Sequence, residues 1–404
     1  MKKEITMTFF ITMLLLIGIL KSSAFSQRMD KVTIVTSGGI RLISPLHVEG
    51  KYIKDELGQI IYLRGINKHG FEDDPGGKWQ KPDGTTMIGW DASIVAANLD
   101  AMKSWGINVV RAHQSIQWWI ENRGNYKQHI KDLLTMLARR GMYLIFDFYC
   151  IKGYGEPGYG QDPMPFPPYS IEYQLGLEPL LIPNEDVFVD VWRSVAEELK
   201  EFPNVIFEIM NEPHTVQGIS KEQAIQDWYR VWQKCINAIR DTGAAQIIVV
   251  QWDYGIWTNL QFGDGSFMDW IEAYPFNDSL NNLVYSTHVY RNDIMLQTSP
   301  EYIYAWEYND LKQAYQQCML DYILDTLNKP VIMGEIGPNM WKTGEELERE
   351  LAFYNNSLTI FNEWEMGYIG FWWWPTGRYA HLTSEQNYQP NRAGEILTAA
   401  ISQQ

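Results

Sequence analysis

Two short strings in this 404-residue sequence place a carboxylate where an apolar run meets its loop. One is Glu208-Ile209-Met210-Asn211-Glu212-Pro213 and the other Val331-Ile332-Met333-Gly334-Glu335-Ile336-Gly337. Strand side chains alternate, so Glu212 is expected on the face of Met210 and Glu208, and Glu335 on the face of Met333 and Val331. Two carboxylates facing each other across a cleft suit hydrolysis of a glycosidic bond, which needs one proton donor and one nucleophile or base. Taken singly, either glutamate reads equally well as a helix N-cap or one half of an ion pair. Together, at the ends of two β-rich runs, they read as a reacting pair.

Something must hold them opposite one another. Eight β-rich runs recur along the chain: Ile61 to Asn67, Ile107 to Arg111, Tyr143 to Tyr149, Val205 to Asn211, Gln246 to Trp252, Leu283 to Tyr290, Pro330 to Glu335 and Tyr368 to Trp374. Between them lie helix-period segments at Asp91 to Trp105, Tyr126 to Arg140, Asp186 to Phe202, Ser220 to Thr242, Tyr302 to Asn328 and Gly344 to Met366, with a last helix after Asn391. Gly106 and Gly141 follow two helices as C-terminal caps, and Ser220 is a suitable helix start. Strands alternating with helices imply a parallel sheet with right-handed crossovers, and eight such units close into an α/β, (β/α)8 TIM barrel. A doubly wound open sheet is the alternative, but Arg64-Gly65-Ile66-Asn67-Lys68-His69-Gly70 lacks the glycine spacing of a phosphate turn. Leu46 to Gln59 reads as an N-terminal β-hairpin that plugs the barrel's N-terminal face. In such a barrel reactive groups sit at the C-terminal strand ends, and strands four and seven face each other across the mouth.

Composition bounds the partners. Lys and Arg number 33 against 49 Asp and Glu, a formal charge of −16, which excludes a basic nucleic-acid surface and disfavours anionic membranes. Aromatic residues make up 14% of the chain, and their planar faces suit stacking on sugars where they do not simply fill the core. Lys2 and Lys3 precede an apolar run from Ile5 to Leu20 and small residues around Ala24 and Ser26, so residues 1–26 read as a secretory signal. A retained membrane anchor is the competing reading. Residues 27–45 form an N-terminal extension and 46–404 the barrel, with the mature protein expected outside the cytoplasm and monomeric. Cys150, Cys235 and Cys318 show no metal-binding spacing, and no disulfide framework is expected.

With these residues in view, the chain resembles glycoside hydrolase family 5, the cellulase family of retaining barrel glycosidases. Asn204 to His214 resembles its Asn-Glu-Pro motif, Tyr62 to Asn67 its first strand, and Gly106 to Arg111 its second strand with the active-site arginine. His288-Val289-Tyr290 resembles the sixth-strand pair, and Gly334-Glu335-Ile336-Gly337 the seventh-strand nucleophile. The resemblance implies Glu212 as general acid/base and Glu335 as the nucleophile of a covalent intermediate, with the two carboxyls about 5 to 5.5 Å apart. It also implies Arg111 as the cation keeping Glu335 ionised, Tyr290 as a hydrogen-bond donor orienting it, His288 tuning Glu212, and Asn211 binding the sugar 2-hydroxyl. Trp372 is the expected platform under the reacting sugar, with Trp374 as fallback and Trp373 packed against helices.

One position departs from the family. Its third strand usually ends in histidine, where this chain has Tyr149, which can bond a sugar hydroxyl but carries no imidazolium charge. His69 and His113 stand near enough to occupy comparable space. The irregular stretch from Gly153 to Pro183 reads as a cleft wall. Phe71 to Asp74 and Trp79 in the first-strand loop, with Trp118 and Trp119 in the second, suggest an extended groove. The expectation is a secreted endoglycanase of β-linked polysaccharide, β-1,4-glucan first, with mannan, mixed-linkage glucan and xylan as runners-up. The alternative class is a non-catalytic carbohydrate-binding barrel. No cofactor or metal is required by two-carboxylate catalysis.

Overall fold

Eight short segments form parallel strands: β1 Arg64–Lys68, β2 Val109–Ser115, β3 Tyr143–Cys150, β4 Val205–Glu208, β5 Ile248–Gln251, β6 Leu283–Val289, β7 Val331–Ile336 and β8 Gly367–Gly370. Each pairs with its chain neighbour and β8 pairs with β1, so the sheet closes into a barrel. The structure, a computed structural model, describes residues 35–36, 39–40, 43–68, 78–80, 86–88, 90–150, 185–212, 221–251, 271, 274–291, 295–298, 301–317, 320–384 and 387–403. The chain divides into two units, Met1–Leu42 and Ile43–Gln404. In the first, Val35–Thr36 pairs antiparallel with Gly39–Ile40. Residues 1–26, His69, Phe71 to Asp74, the Gly153 to Pro183 stretch, His214, Ser220, Trp252, Cys318 and the side chains of Trp79 and Cys150 lie outside the described residues.

Alternation sorts the strand residues into two layers. Leu63, Val109, Ile145, Ile206, Val249, Val284, Ile332 and Ile369 fill the barrel interior, while Val110, Leu144, Phe207, Val250, Val331 and Met333 face the surrounding helices. Burying each such side chain stabilises the fold by roughly 1.5–3 kcal/mol, so the interior is packed rather than open. The expected hairpin is present, with His47–Glu49 pairing Tyr52–Lys54. Leu46 and Ile53 join the interior cluster and close it from the N-terminal side.

Among the described residues the α-helices are α1 Ala92–Ser104, α2 Ile116–Glu121, α3 Tyr126–Arg139, α4 Glu185–Leu199, α5 Lys221–Asp241, α6 Tyr308–Gln317, α7 Gly344–Glu363 and α8 Arg392–Ile401. In α3, Ile130, Leu133, Leu134 and Leu137 repeat at helical spacing and are buried. Asp91 caps α1 by accepting from the Ser93 and Ile94 amides, and Gly106 beyond its end takes the left-handed φ of +83°. Cys235 is a free, buried thiol in α5. No helix of the described residues is long and apolar enough to cross a membrane.

Three expectations need correction. The segment read as one helix from Tyr302 to Asn328 instead starts inside a strand, Glu301–Tyr304, paired antiparallel with Met295–Thr298, and continues into α6 and a π-helical turn at Tyr322–Thr326. The eighth strand stops at Gly370, so the three tryptophans belong to the loop beyond it. Trp118 and Trp119 do not line a mouth loop: Ser115 caps α2 through the Trp118 amide, and both indoles are fully buried in the helix-side core.

Candidate active site

Above the apolar filling, the barrel interior turns polar. Arg111 on β2 is fully buried and occupies the centre. Its Nε and Nη2 donate to the two Glu208 oxygens at 2.6 and 3.1 Å. Nη1 donates to Asn67 Oδ1 at 3.0 Å and to Glu335 Oε1 at 2.9 Å, and Nη2 also donates to Asn211 Oδ1 at 3.0 Å. Asp147 Oδ2 stands 3.0 Å from Nη2. Burial disfavours the charge on Arg111, but Asp147, Glu208 and Glu335 outweigh it and hold the guanidinium firmly cationic. One cation cannot satisfy three buried carboxylates equally. Burial pushes Asp147 well above the ordinary carboxylate range against the pull of Arg111.

The two candidate carboxylates meet at this centre. Oxygens of Glu212 and Glu335 and a ring nitrogen of His288 lie within 4.8 Å of one another. Tyr290 donates its phenolic proton to Glu335 Oε2 at 2.6 Å. His288 Nδ1 stands 2.8 Å from Glu212 Oε1 and 3.6 Å from Glu335 Oε2. Burial drives His288 down to about 4, against the pull of Glu335, so its ring is neutral at physiological pH. Burial raises Glu335 above the ordinary glutamate range. A charged His288 would pull it back, but a neutral ring does not, which leaves Arg111 and the Tyr290 hydroxyl to favour the ionised form against the Glu212 charge.

Neither carboxylate arrives by simple alternation. Val331 and Met333 face the helices, so strict period two would send Glu335 outward with them. The β6 and β7 registers shift between Thr287↔Met333 and His288↔Glu335, leaving Gly334 as an extra residue, and this bulge turns Glu335 inward. Gly334 is required there, because a Cβ would lie 2.7 Å from Ser286 Oγ and 2.9 Å from His288 Nε2. Glu208 does face inward, but Met210 packs on the helix side, and Glu212 sits at φ +40°. That left-handed backbone is disfavoured for a side chain larger than glycine, and it is pinned by the Glu212 amide donating to Gln251 Oε1 at 2.8 Å.

The remaining expected residues surround this pair. Asn211 is buried, its Oδ1 committed to Arg111. Trp372 is half-buried, its ring near-parallel to those of Phe371 and Trp374 at centroid distances of 5.6 and 5.7 Å. Trp373 points the other way, edge-on to Trp105 with its indole N–H donating to Asn98. Tyr149 packs 4.4 Å from the His113 ring. His113 is buried, with Nδ1 2.8 Å from Asp147 Oδ2 and Nε2 3.9 Å from Glu335 Oε1. Sequence reading missed Asn67, Asp147, Glu208 and Gln251, all polar residues on inward strand positions, and Phe371, whose ring lies 6.2 Å from Tyr290. The signal available was polarity inside a β-rich run. Glu212, His288 and Glu335 also offer the donor types of a divalent-metal site, at the cost of engaging both carboxylates.

A family model described as Cellulase (glycosyl hydrolase family 5) matches residues 63–377. Endoglucanase B of Acetivibrio thermocellus is 26% identical over 342 residues, covering 72% of this chain and 58% of that protein. An endoglucanase of Clostridium saccharobutylicum is 25% identical over 175 residues, covering 42% of this chain and 29% of that protein. The chain thus spans less than two thirds of the length of these relatives. A solved structure of a hyperthermophilic endocellulase from Pyrococcus horikoshii superposes with a TM-score of 0.64 at 19% identity, over 89% of this chain and 99% of that one. At that identity the likeness concerns the fold alone.

Proposed function

The chain belongs to glycosyl hydrolase family 5, the cellulase family, and from that premise we propose that it is a retaining endo-β-glycanase acting on β-1,4-glucan. The observation that carries this reading is the closeness of the Glu212 and Glu335 oxygens, within 4.8 Å. Retention calls for carboxyls about 5 to 5.5 Å apart, whereas inversion needs room for a water between them. The two environments differ in the way the chemistry requires. Glu335 touches a permanent cation and a phenolic donor, which favour a carboxylate nucleophile. Glu212 touches the His288 ring rather than a permanent cation, the environment a proton donor needs.

In the first step Glu335 attacks the anomeric carbon as the bond to the leaving oxygen breaks and Glu212 gives that oxygen its proton. This leaves a glycosyl ester on Glu335 and a carboxylate on Glu212. Glu212 then takes a proton from water, whose oxygen attacks the anomeric carbon and frees Glu335. Asn211 is assigned to the 2-hydroxyl, Trp372 to the face of the reacting sugar, and Tyr149 to a hydroxyl at the third-strand side. The endoglucanase relatives favour glucan over mannan and xylan, and the acidic charge and apolar leader favour an extracellular, neutral-polymer substrate.

The test is release of reducing ends from carboxymethyl cellulose, mannan and xylan, with product anomers followed by NMR. Cleavage of the glucan with retained β-configuration is expected, and Glu335→Gln should cost at least about 10³-fold in kcat with the fold intact. Inversion would sink the mechanism. Inactivity on all three polymers, with binding preserved, would favour a carbohydrate-binding barrel.

A further inference from the structure

Trp341 is the one aromatic side chain among the strongly exposed apolar residues described, 67% exposed to solvent. It sits beyond β7, at the end of the barrel where Glu335 emerges. A surface indole on a slack loop would signify little, but the backbone of this turn is tied down. The Trp341 amide donates to Asn339 Oδ1 at 3.1 Å, and Asn339 is itself buried, its amide donating to Glu350 Oε2 at 2.9 Å. Glu350 is buried against Arg291, whose Nη1 lies 3.0 Å from its Oε1, and Arg291 directly follows Tyr290. The fold therefore buries an ion pair, an arrangement that is costly to desolvate, to hold a turn that presents a tryptophan to water.

The turn also faces the right way. Its Met340 amide donates to the Arg378 carbonyl, and Gly337 lets the two loops touch, since a Cβ there would lie 2.4 Å from the Phe371 carbonyl oxygen. The Arg378 guanidinium lies 5.5 Å from the Trp341 ring and 5.8 Å from the Tyr379 ring. Tyr379 stacks on Tyr290 at 4.3 Å, and Tyr290 holds Glu335. An unbroken series of rings and one guanidinium thus leads from the reacting pair to the exposed indole. Arg378 lies against the indole and adds hydrogen-bond donors beside it.

We propose that Trp341 is the platform of a separate sugar-binding subsite, outward along the cleft from the reacting pair, on which one residue of a neutral β-linked glucan stacks its C–H face. This rests on the glycanase reading for its ligand. Two measurements separate its failure from the failure of that reading. In turnover, Trp341→Ala should raise KM about tenfold on cellohexaose and polymer, the equivalent of roughly 1.4 kcal/mol of stacking, while an aryl β-cellobioside loses less than about twofold. Trp341→Phe should recover most of the loss. In binding, calorimetry of cellohexaose with Glu335→Gln should give a Kd about tenfold tighter than Trp341→Ala in the same background. Equal losses on short and long substrates, or no loss on either, overturns the subsite. If the wild type turns over none of these substrates but cellohexaose binding still depends on Trp341, the subsite stands and the glycanase reading falls. If binding ignores Trp341, the subsite falls.

Discussion

Tyr290 and Glu335 show how one hydrogen bond converts into a pH profile. Burial already raises Glu335, so the acid limb of kcat/KM, where the nucleophile is lost to protonation, is expected above the ordinary glutamate range of about 4.3. The Tyr290 hydroxyl favours the charged form, hence lowers the Glu335 pKa, and its removal must raise it. Tyr290→Phe should therefore move the acid limb to higher pH and reduce kcat/KM by one to two orders of magnitude, about 1.5–3 kcal/mol for a bond to a charged group. An acid limb that stays in place would show that Tyr290 does not govern Glu335. Residues of this kind were legible in the sequence because they end strands with chemically distinctive groups. Asp147, Glu208 and Asn67 were not, because a carboxylate or amide inside a β-rich run declares its role only through Arg111, a partner on another strand.

At the level of elements, period two read the barrel correctly and misled at the two positions that matter most. Ile206 and Glu208 do share the inward face, and Val109 and Arg111 likewise. At Glu335 the count is broken by the bulge at Gly334, and at Glu212 by a left-handed residue past the strand end. Bulges depend on pairing with a neighbouring strand, so a single strand's sequence carries only the glycine as a hint. The consequence is testable. Gly334→Ala puts a methyl 2.9 Å from His288 Nε2, and the ring must shift from its contact with Glu212. We expect a folded protein with an unchanged circular dichroism spectrum, about 1–3 kcal/mol less stable in urea, and a kcat lower by at least about tenfold. A variant as active as the wild type would mean that the bulge only shapes the backbone. The misreading of Trp118 and Trp119 has a related origin: closeness to a strand end looked like a mouth loop, but Ser115 starts a helix at once and turns both indoles into the core.

Across the whole molecule, stability and chemistry occupy opposite ends of the same barrel. The interior passes from the Leu46 and Ile53 plug, through a layer of Val and Ile, to the polar centre around Arg111. The alternation of runs in the sequence made this architecture readable, and the hairpin with it, whereas the charge of −16 bears on neither end. If the layers are as separate as they look, a defect in the plug should cost stability without touching the reaction. Ile53 is 7% exposed, and Ile53→Ala leaves a cavity under the apolar layer, for which about 2–5 kcal/mol is the usual loss. The unfolding midpoint in urea should fall accordingly, while kcat/KM on cellohexaose at 25 °C stays within about twofold of wild type, because Arg111 and Glu335 are held by bonds to one another, to Glu208 on β4 and to Tyr290 just past β6 rather than to the plug. Activity that falls in step with stability, at a temperature where the variant remains folded, would show that the apolar layer transmits strain to the centre and that the two ends are mechanically one.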